Sequence, residues 1–432
     1  MTQLEFAHMG KITEAMKFVA EKENKSPHEI LELVRSGRAV IPANINHTNL
    51  SNFTGIGESL TVKINTNIGT SYDYINIAEE IEKAKIAIEY GSDTLMDLST
   101  GGDLKFIREE ILKVCTIPLG TVPIYEAEFT AAKKSSIYDM TPDDIFNVIE
   151  EHGKQGVDYI TVHCGITMET LKRYQNEERI TGIVSRGGGL IAAWMLKNKE
   201  ENPLYKYYDR LLEIAREYDM TLSLGDGLRP GSLNDSTDRA QIAELMIIGE
   251  LVERARKAGV QTMVEGPGHI PLNEIQTNVQ IQKKLTKGAP FYILGMLPTD
   301  IAAGFDHIAG AIGGALAGWY GADMLCYITP AEHVGLPTAE DVKNGVIAFK
   351  IAAHIADIAR GNKDALERNK KMSQARYKLD WDKQFELALY GNEAKKIFES
   401  RASKTEACSM CGPFCPMNLV ENTIRKNKLV EV

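Results

Sequence analysis

The chain lacks an excess of basic charge, a membrane-spanning run and an export signal, and each absence narrows its function. It has 432 residues, with 49 Lys and Arg against 59 Asp and Glu, which gives a net charge of −10. Nucleic acid is not expected as a partner, because binding a phosphate backbone needs a basic face. No uncharged apolar run is long enough to cross a bilayer, and the first residues show no basic leader or apolar signal core. We expect a cytoplasmic protein without a membrane partner.

Cysteine is also scarce, and its distribution is uneven. Three of the six cysteines lie together in Cys408-Ser-Met-Cys411-Gly-Pro-Phe-Cys415. Thiolates with this spacing in a tight turn can converge on an iron–sulfur cluster, and three ligands leave one iron open. Structural zinc is the alternative, but it would need a fourth Cys or His, and none lies within the tail. The other cysteines lie in apolar stretches typical of buried thiols, and we assign them no role: Cys115, Cys164 and Cys326.

Short apolar runs alternate along the chain with longer stretches of helical period, which indicates repeated βα units and a parallel sheet. Eight strand candidates follow Asp93: Thr94–Leu98, Pro118–Ile124, Tyr159–His163, Gly182–Ser185, Thr221–Leu224, Thr262–Glu265, Phe291–Leu294 and Met324–Ile328. Eight such units predict an α/β protein with a closed (β/α)₈ TIM barrel, whose active site lies at the carboxyl ends of the strands. Two further strands, Ala39–Asn44 and Leu60–Ile64, are predicted before the barrel.

Four segments follow from this pattern. We predict a small N-terminal domain over residues 1–72 and a (β/α)₈ catalytic barrel over residues 73–360. A helical segment is predicted over residues 361–400, and a cluster-binding tail over residues 401–432.

Polar, glycine-rich clusters follow most of the predicted strands. The segment that begins Ser185-Arg186-Gly187 resembles an anion cradle at a helix N-terminus, although a plain tight turn is the alternative. Asp226 and Arg229 suit a ribose hydroxyl and a phosphate or ring nitrogen, although an internal ion pair would use the same residues.

Two histidines, His269 and His333, close the clusters after the sixth and eighth predicted strands. A lone histidine is usually a structural residue, but two in equivalent positions favour a shared Zn²⁺ or Fe²⁺ with positions left open for substrate or water.

Several short motifs extend, in order, along nearly the whole chain. They are Ile41-Pro-Ala-Asn-Ile-Asn-His47, Met96-Asp-Leu-Ser-Thr100, Gly120-Thr-Val-Pro-Ile-Tyr125, Ser185-Arg-Gly-Gly188, Gly225-Asp-Gly-Leu-Arg-Pro-Gly231, Glu265-Gly-Pro-Gly-His269, Pro290-Phe-Tyr292, Thr329-Pro-Ala-Glu-His333 and the cysteine tail. Together they resemble the thiamin pyrimidine synthase family. The resemblance implies a homodimer of (β/α)₈ barrels that rearranges 5-aminoimidazole ribotide with S-adenosyl-L-methionine.

The same resemblance implies the roles of individual residues. It implies a [4Fe–4S] cluster on Cys408, Cys411 and Cys415, with electrons from an external donor of the flavodoxin or ferredoxin type. It also implies a second metal, Zn²⁺ or Fe²⁺, on His269 and His333. The ribotide contacts that it implies, with Glu265 also catalytic, are Asn67, Met96, Tyr125, His163, Ser185, Arg186, Gly187, Asp226, Gly227, Leu228, Arg229, Glu265 and Tyr292.

Two products are known in the family that the chain resembles: the pyrimidine phosphate of thiamin and the 5-hydroxybenzimidazole of cobamides. The chain departs from the usual thiamin pattern at Leu50–Thr54 and Met168, and lacks the usual hydroxyls at Phe305, Ala309 and Gly310. Because a buried hydrogen bond to one intermediate is worth about 1–3 kcal/mol, such losses could redirect a rearrangement. We therefore predict a carbon–carbon lyase that makes 5-hydroxybenzimidazole for cobamide (vitamin B12) biosynthesis. The alternative is phosphomethylpyrimidine synthase, an enzyme of thiamin biosynthesis.

Overall fold

The computed structural model describes residues 1–134 and 136–420. Residues 421–432, the last part of the predicted cluster-binding tail, lie outside the described residues. The chain contacts form two compact units, Met1–Asp357 and the residues from Ile358 onward. The predicted division into four segments stays a prediction.

The first unit begins with three short helices and a two-stranded antiparallel ribbon. The helices are α1 (Gln3–His8), α2 (Glu14–Lys22) and α3 (Pro27–Arg35), and the strands are β1 (Ala39–Val40) and β2 (Ile56–Gly57). Each helix starts at a side-chain cap, and Thr2 and Ser26 form capping boxes with Glu5 and Glu29. These reciprocal hydrogen bonds satisfy amides that a helix leaves free at its start.

Eight parallel strands then close into a barrel. They are β3 (Lys63–Ile68), β4 (Thr94–Asp97), β5 (Leu119–Thr121), β6 (Tyr159–Val162), β7 (Thr221–Leu224), β8 (Thr262–Gly266), β9 (Phe291–Ile293) and β10 (Met324–Cys326). Neighbours in sequence are neighbours in the sheet, and β10 pairs with β3 to complete the ring. The predicted α/β class and (β/α)₈ barrel are confirmed.

Two strand predictions inside this barrel are wrong. Residues 182–185 form no strand, because Gly182 has a φ of +69°, Val184 is exposed and Ser185 caps the next helix. The missing strand is β3, which overlaps the predicted strand Leu60–Ile64 and so begins within the segment predicted as an N-terminal domain.

Helices surround the barrel and bury its outer face. They are α4 (Ile77–Glu89), α5 (Leu104–Val114), α6 (Pro123–Lys134), α7 (Pro142–Gln155), α8 (Met168–Tyr174), α9 (Arg186–Asn198), α10 (Pro203–Lys206), α11 (Tyr208–Tyr218), α12 (Arg239–Lys257), α13 (Ile275–Leu285), α14 (Asp306–Tyr320) and α15 (Ala339–Ala359). The apolar core lies between the barrel strands and these helices, with Phe146, Ile160 and Leu222 fully buried in it.

The second unit is helical. It contains α16 (Lys363–Tyr377), α17 (Trp381–Leu387), α18 (Gly391–Ser400) and α19 (Pro416–Val420). Trp381 packs against Phe398 with ring centroids 4.4 Å apart, and its indole N–H donates to the Glu406 carbonyl over 2.8 Å. Among the residues that the structure describes, no helix has both the length and the apolar character needed to cross a bilayer.

Candidate active site

A cavity of about 390 Å³ opens at the carboxyl ends of the barrel strands. Most of the predicted ribotide and metal residues line it: Asn67, Met96, Tyr125, His163, Ser185, Arg229, Glu265, His269, Tyr292 and His333. They come from strands and loops all around the barrel, which is where a TIM barrel builds its active site. Five further predicted residues are not part of the cavity wall: Arg186, Gly187, Asp226, Gly227 and Leu228.

Ser185 and His163 form one corner of the cavity. The Ser185 hydroxyl accepts the Gly188 N–H at the start of α9 and lies 3.1 Å from His163 Nε2, to which it can donate. Burial, helped by the charge of Arg229, lowers the pKa of His163 to about 3, so the imidazole is neutral. His163 Nδ1 is buried without a hydrogen-bond partner among the described residues, and it carries the ring proton when Nε2 accepts from Ser185.

The glycines after Ser185 allow this corner to pack closely. A Cβ on Gly187 would overlap the His163 ring, and a Cβ on Gly188 would lie 2.5 Å from the Gly227 carbonyl oxygen. The backbone at the start of α9 can therefore lie against both neighbouring loops. A helix N-terminus beside Ser185 and His163 at the cavity suits a phosphate.

Arg186 covers Tyr125 at the edge of the cavity. Its guanidinium carbon lies 4.9 Å from the Tyr125 ring centroid, and one of its terminal nitrogens lies 3.5 Å from Glu128 Oε2. Half of the Arg186 side chain is exposed. Arg186 thus adds positive charge beside an aromatic cavity wall.

Two buried carboxyl groups share the charge of Arg229. Arg229 Nη1 lies 3.3 Å from Asp226 Oδ1. Burial raises the pKa of Asp226 to about 6, although Arg229 opposes the rise. Burial and the nearby Asp226 raise the pKa of Glu265 to about 7. Thr161 and Ser223 donate to Glu265 Oε1 over 2.6 and 3.1 Å. The site therefore retains a proton on a carboxyl group close to neutral pH.

A directed chain of hydrogen bonds lies at the floor of the cavity. Asn65 Oδ1 accepts from the Tyr159 and Thr94 hydroxyls, so its Nδ2 donates to the Tyr292 hydroxyl and to Asn67 Oδ1. Asn65 is completely buried and does not reach the cavity itself. It fixes the orientation of two side chains that do.

Residues that the sequence analysis missed also line the cavity. Cys326, at the end of β10, accepts a hydrogen bond from Asn67 Nδ2 over 3.1 Å, and burial raises the pKa of its thiol to about 11. Glu332 lines the cavity beside His333, and burial raises its pKa. Strand-end position was the available signal for Cys326, and its apolar neighbours in sequence concealed it.

The two predicted metal ligands lie side by side. The rings of His269 and His333 have centroids 5.3 Å apart. His269 Nδ1 lies 2.9 Å from Asp300 Oδ1, and His333 Nδ1 lies 3.1 Å from Asp306 Oδ2. Carboxylates that hold Nδ1 orient a histidine to bind metal through Nε2. The donor set fits a divalent metal with two imidazole ligands.

The cysteine tail keeps three free thiols in a short turn. Cys408 and Cys411 are partly exposed and Cys415 is buried, and none forms a disulfide. Gly412–Phe414 forms one turn of 3₁₀ helix, with the Phe414 N–H donating to the Cys411 carbonyl over 3.0 Å, and just before it the Gly412 N–H donates to the Cys408 carbonyl over 3.0 Å. Thiols at this spacing suit an iron–sulfur cluster.

In the part of the chain that the structure describes, no three His, Cys, Asp or Glu side chains are arranged to hold a metal ion.

The departures from the thiamin pattern are not among the residues that line the cavity. Phe305 and Met168 are exposed, and Ala309 and Gly310 lie in α14, where a Cβ on Gly310 would meet Ile328 and Phe349. Residues 50–54 lie at the opposite end of the barrel, where Ser51 and Asn52 donate to the Thr116 carbonyl.

Known relatives are similar over the whole chain. A protein of Thermus thermophilus named phosphomethylpyrimidine synthase is 71% identical over 432 residues, covering 100% of this chain and 99% of the relative. Proteins with the same name from Caldanaerobacter subterraneus and Methanocaldococcus jannaschii are each 56% identical, covering 97% and 98% of this chain and 98% and 99% of the relatives.

These relatives correct the predicted product. The prediction of a 5-hydroxybenzimidazole synthase for cobamide biosynthesis is wrong, because the similar proteins carry the name of the alternative. The physical reason lies in the positions of the departures. None of Phe305, Ala309, Gly310, Met168 or residues 50–54 lines the cavity, so their missing polar groups are not part of its wall.

A comparison with family sequence profiles covers almost the same extent of the chain. The Radical SAM ThiC family matches residues 2–422, which include every motif of the cavity and the cysteine tail. With this match and the 71% identical relative, the chain belongs to the Radical SAM ThiC family.

Proposed function

We propose that the chain is a phosphomethylpyrimidine synthase. It would convert 5-aminoimidazole ribotide to 4-amino-5-hydroxymethyl-2-methylpyrimidine phosphate in thiamin biosynthesis. The observation that carries the proposal is the name shared by full-length relatives up to 71% identical. The cavity supports it, because most of the residues expected to contact the ribotide line one space of about 390 Å³.

Membership of a radical SAM family implies a [4Fe–4S] cluster and S-adenosyl-L-methionine. Cys408, Cys411 and Cys415 would hold the cluster, and three ligands leave one iron for S-adenosylmethionine. When bound, the cluster and S-adenosylmethionine supply the 5′-deoxyadenosyl radical that takes a hydrogen atom from the ribose. In this proposal the cysteine tail would hold the cluster that begins the radical chemistry, and the barrel cavity would bind the ribotide.

The ribotide phosphate would bind at the Ser185 corner. The start of α9 lies beside Ser185 and His163 at this corner, and Arg186 adds positive charge at its edge. Arg229 and Glu265 would then hold the ribose and the ring, with Glu265 able to donate or accept because its pKa is about 7. This arrangement would orient the ribose for hydrogen abstraction.

His269 and His333 would hold Zn²⁺ or Fe²⁺ at the edge of the same cavity. Both rings present Nε2 because Asp300 and Asp306 bind Nδ1. We also propose a cytoplasmic homodimer, an electron donor of the flavodoxin or ferredoxin type, and the reaction class of a carbon–carbon lyase.

Anaerobic reconstitution with iron and sulfide, followed by reaction with the ribotide, S-adenosylmethionine and a reductant, tests the proposal. Mass spectrometry should find the pyrimidine phosphate and 5′-deoxyadenosine from the wild-type protein. A Cys411→Ala variant should yield neither and should lack the brown colour of the cluster. A brown wild-type protein that cleaves S-adenosylmethionine and consumes the ribotide without forming the pyrimidine phosphate would contradict the proposal.

A further inference from the structure

The backbone of the loop that carries Arg229 is bound by a carboxyl group outside the cavity, that of Glu244. Glu244 Oε1 accepts the Gly227 N–H over 2.9 Å, and Glu244 Oε2 accepts the Leu228 N–H over 2.7 Å. Both oxygens are therefore used by consecutive amides of the segment between Asp226 and Arg229. Neither Gly227 nor Leu228 lines the cavity, and Leu228 is completely buried.

Glu244 reaches the loop from the helix outside the barrel. It lies on α12 and has 2% of its surface exposed. Its side chain passes Gly165, where a Cβ would lie 2.7 Å from Glu244 Cγ. Gly165 follows the cavity residue His163 by two positions, so the loop after β6 leaves room for a side chain that supports the loop after β7.

Arg179 holds the carbonyl side of the same segment. Its Nη2 donates to the Leu228 carbonyl over 2.6 Å and its Nη1 to the Arg229 carbonyl over 3.2 Å. Asp238 fixes the guanidinium through contacts of 2.6 and 2.8 Å. The Glu244 carboxyl binds the amides of this segment and the Arg179 guanidinium binds its carbonyls, which leaves its backbone little freedom. Burial raises the pKa of Glu244 to about 8, so at neutral pH the carboxyl binds the amides mainly in its protonated form.

The direct contact to Asp226 does not fix Arg229 as firmly. Their separation of 3.3 Å is longer than an ordinary charge-assisted hydrogen bond. The position of the Arg229 guanidinium at the cavity therefore depends on its backbone, and the backbone depends on Glu244 and Arg179.

We propose that Glu244 is a positioning residue that fixes the 226–229 loop and thereby places Arg229 for ribotide binding. The second part rests on the proposed function, while the first part concerns the chain alone. A glutamine at position 244 keeps the shape but presents one N–H₂ group to a backbone N–H, so one of the two amides loses its acceptor. Losing one of the two hydrogen bonds to this buried carboxyl should weaken ribotide binding about two- to tenfold.

The experiment compares Glu244→Gln with Asp158→Asn. Asp158 is also buried and accepts two backbone amides, from Asn44 over 2.8 Å and from Leu119 over 2.7 Å, but it lies at the opposite end of the barrel. Both variants are made in the full chain with the cluster reconstituted. For each, we would measure hydrogen exchange in the peptide spanning residues 225–231, the affinity for 5-aminoimidazole ribotide, and the KM and kcat for this ribotide.

Glu244→Gln should speed hydrogen exchange in the 225–231 peptide and raise KM and Kd for the ribotide. Asp158→Asn should lower thermal stability but leave this exchange, the KM and the Kd unchanged. Unchanged exchange and affinity in a folded Glu244→Gln protein would overturn the inference, as would an equal loss of affinity in Asp158→Asn. If Glu244→Gln does not fold, Glu244→Asp, which is shorter by one methylene, carries the same expectations. A wild-type protein that does not bind the ribotide would defeat the proposed function, and the exchange measurement would still decide whether Glu244 holds the loop.

Discussion

Replacing Glu265 with glutamine should remove part of the pH dependence of stability. Glutamine mimics the protonated carboxyl, and its amide oxygen can keep the hydrogen bonds from Thr161 and Ser223. The pKa of Glu265 rises from an ordinary 4.5 to about 7 in the folded chain, chiefly through burial and then through Asp226. One pKa unit corresponds to about 1.4 kcal/mol. Deprotonation of Glu265 as the pH rises should therefore lower the free energy of unfolding of the wild-type protein by about 3 kcal/mol.

The sign and the pH window of this loss follow from where the proton binds. An acid whose pKa is higher in the folded chain takes up a proton on folding, so its stabilisation is complete below pH 4.5 and is lost as the pH rises through about 7. Urea unfolding followed by circular dichroism, at about pH 5 and about pH 8, measures the loss in each protein. Glu265→Gln should lose less stability than wild type between these values. Equal losses in the two proteins would refute the assigned protonation of Glu265.

Two further substitutions test the cavity wall and the histidine pair. Gly187→Ala should weaken ribotide binding about tenfold or more in a titration, because its Cβ would overlap the His163 ring. Gly189→Ala is the control and should bind the ribotide as the wild type does, because the one atom near its Cβ is 4.0 Å away. Asp300→Asn should lower the affinity for Zn²⁺ about 10- to 100-fold by loosening His269, and metal analysis after dialysis would show this; full retention of metal would contradict the assigned role.

The fold could be predicted from sequence because buried parallel strands read as apolar runs between amphipathic helices. The strand that escaped this pattern is β3, Lys63-Ile-Asn-Thr-Asn-Ile68. Asn65 and Asn67 of this strand point into the barrel, where they form hydrogen bonds with Tyr292 and Cys326, so the interior there is polar. The opposite error occurred at residues 182–185, which were predicted as a strand because the segment is apolar in sequence but which form a loop.

The cavity wall could be predicted because its residues follow strand ends in recognisable motifs. The supporting residues could not, since Glu244 on α12 and Asp300 in a loop look like ordinary surface acids until the chain is folded. The product was predicted wrongly for a related reason. A missing hydroxyl at Phe305 looks important in a motif, but only the structure shows that the side chain is exposed and away from the cavity.

The central claim is that this chain rearranges the ribose carbons of 5-aminoimidazole ribotide into a phosphorylated pyrimidine. The most direct measurement is an anaerobic single turnover of the reconstituted enzyme with ribotide labelled with ¹³C in the ribose, followed by mass spectrometry. We predict a pyrimidine phosphate that carries ribose-derived ¹³C and appears together with 5′-deoxyadenosine. A labelled product that has lost its phosphate, or labelled ribotide left intact while S-adenosylmethionine is cleaved, would contradict the account.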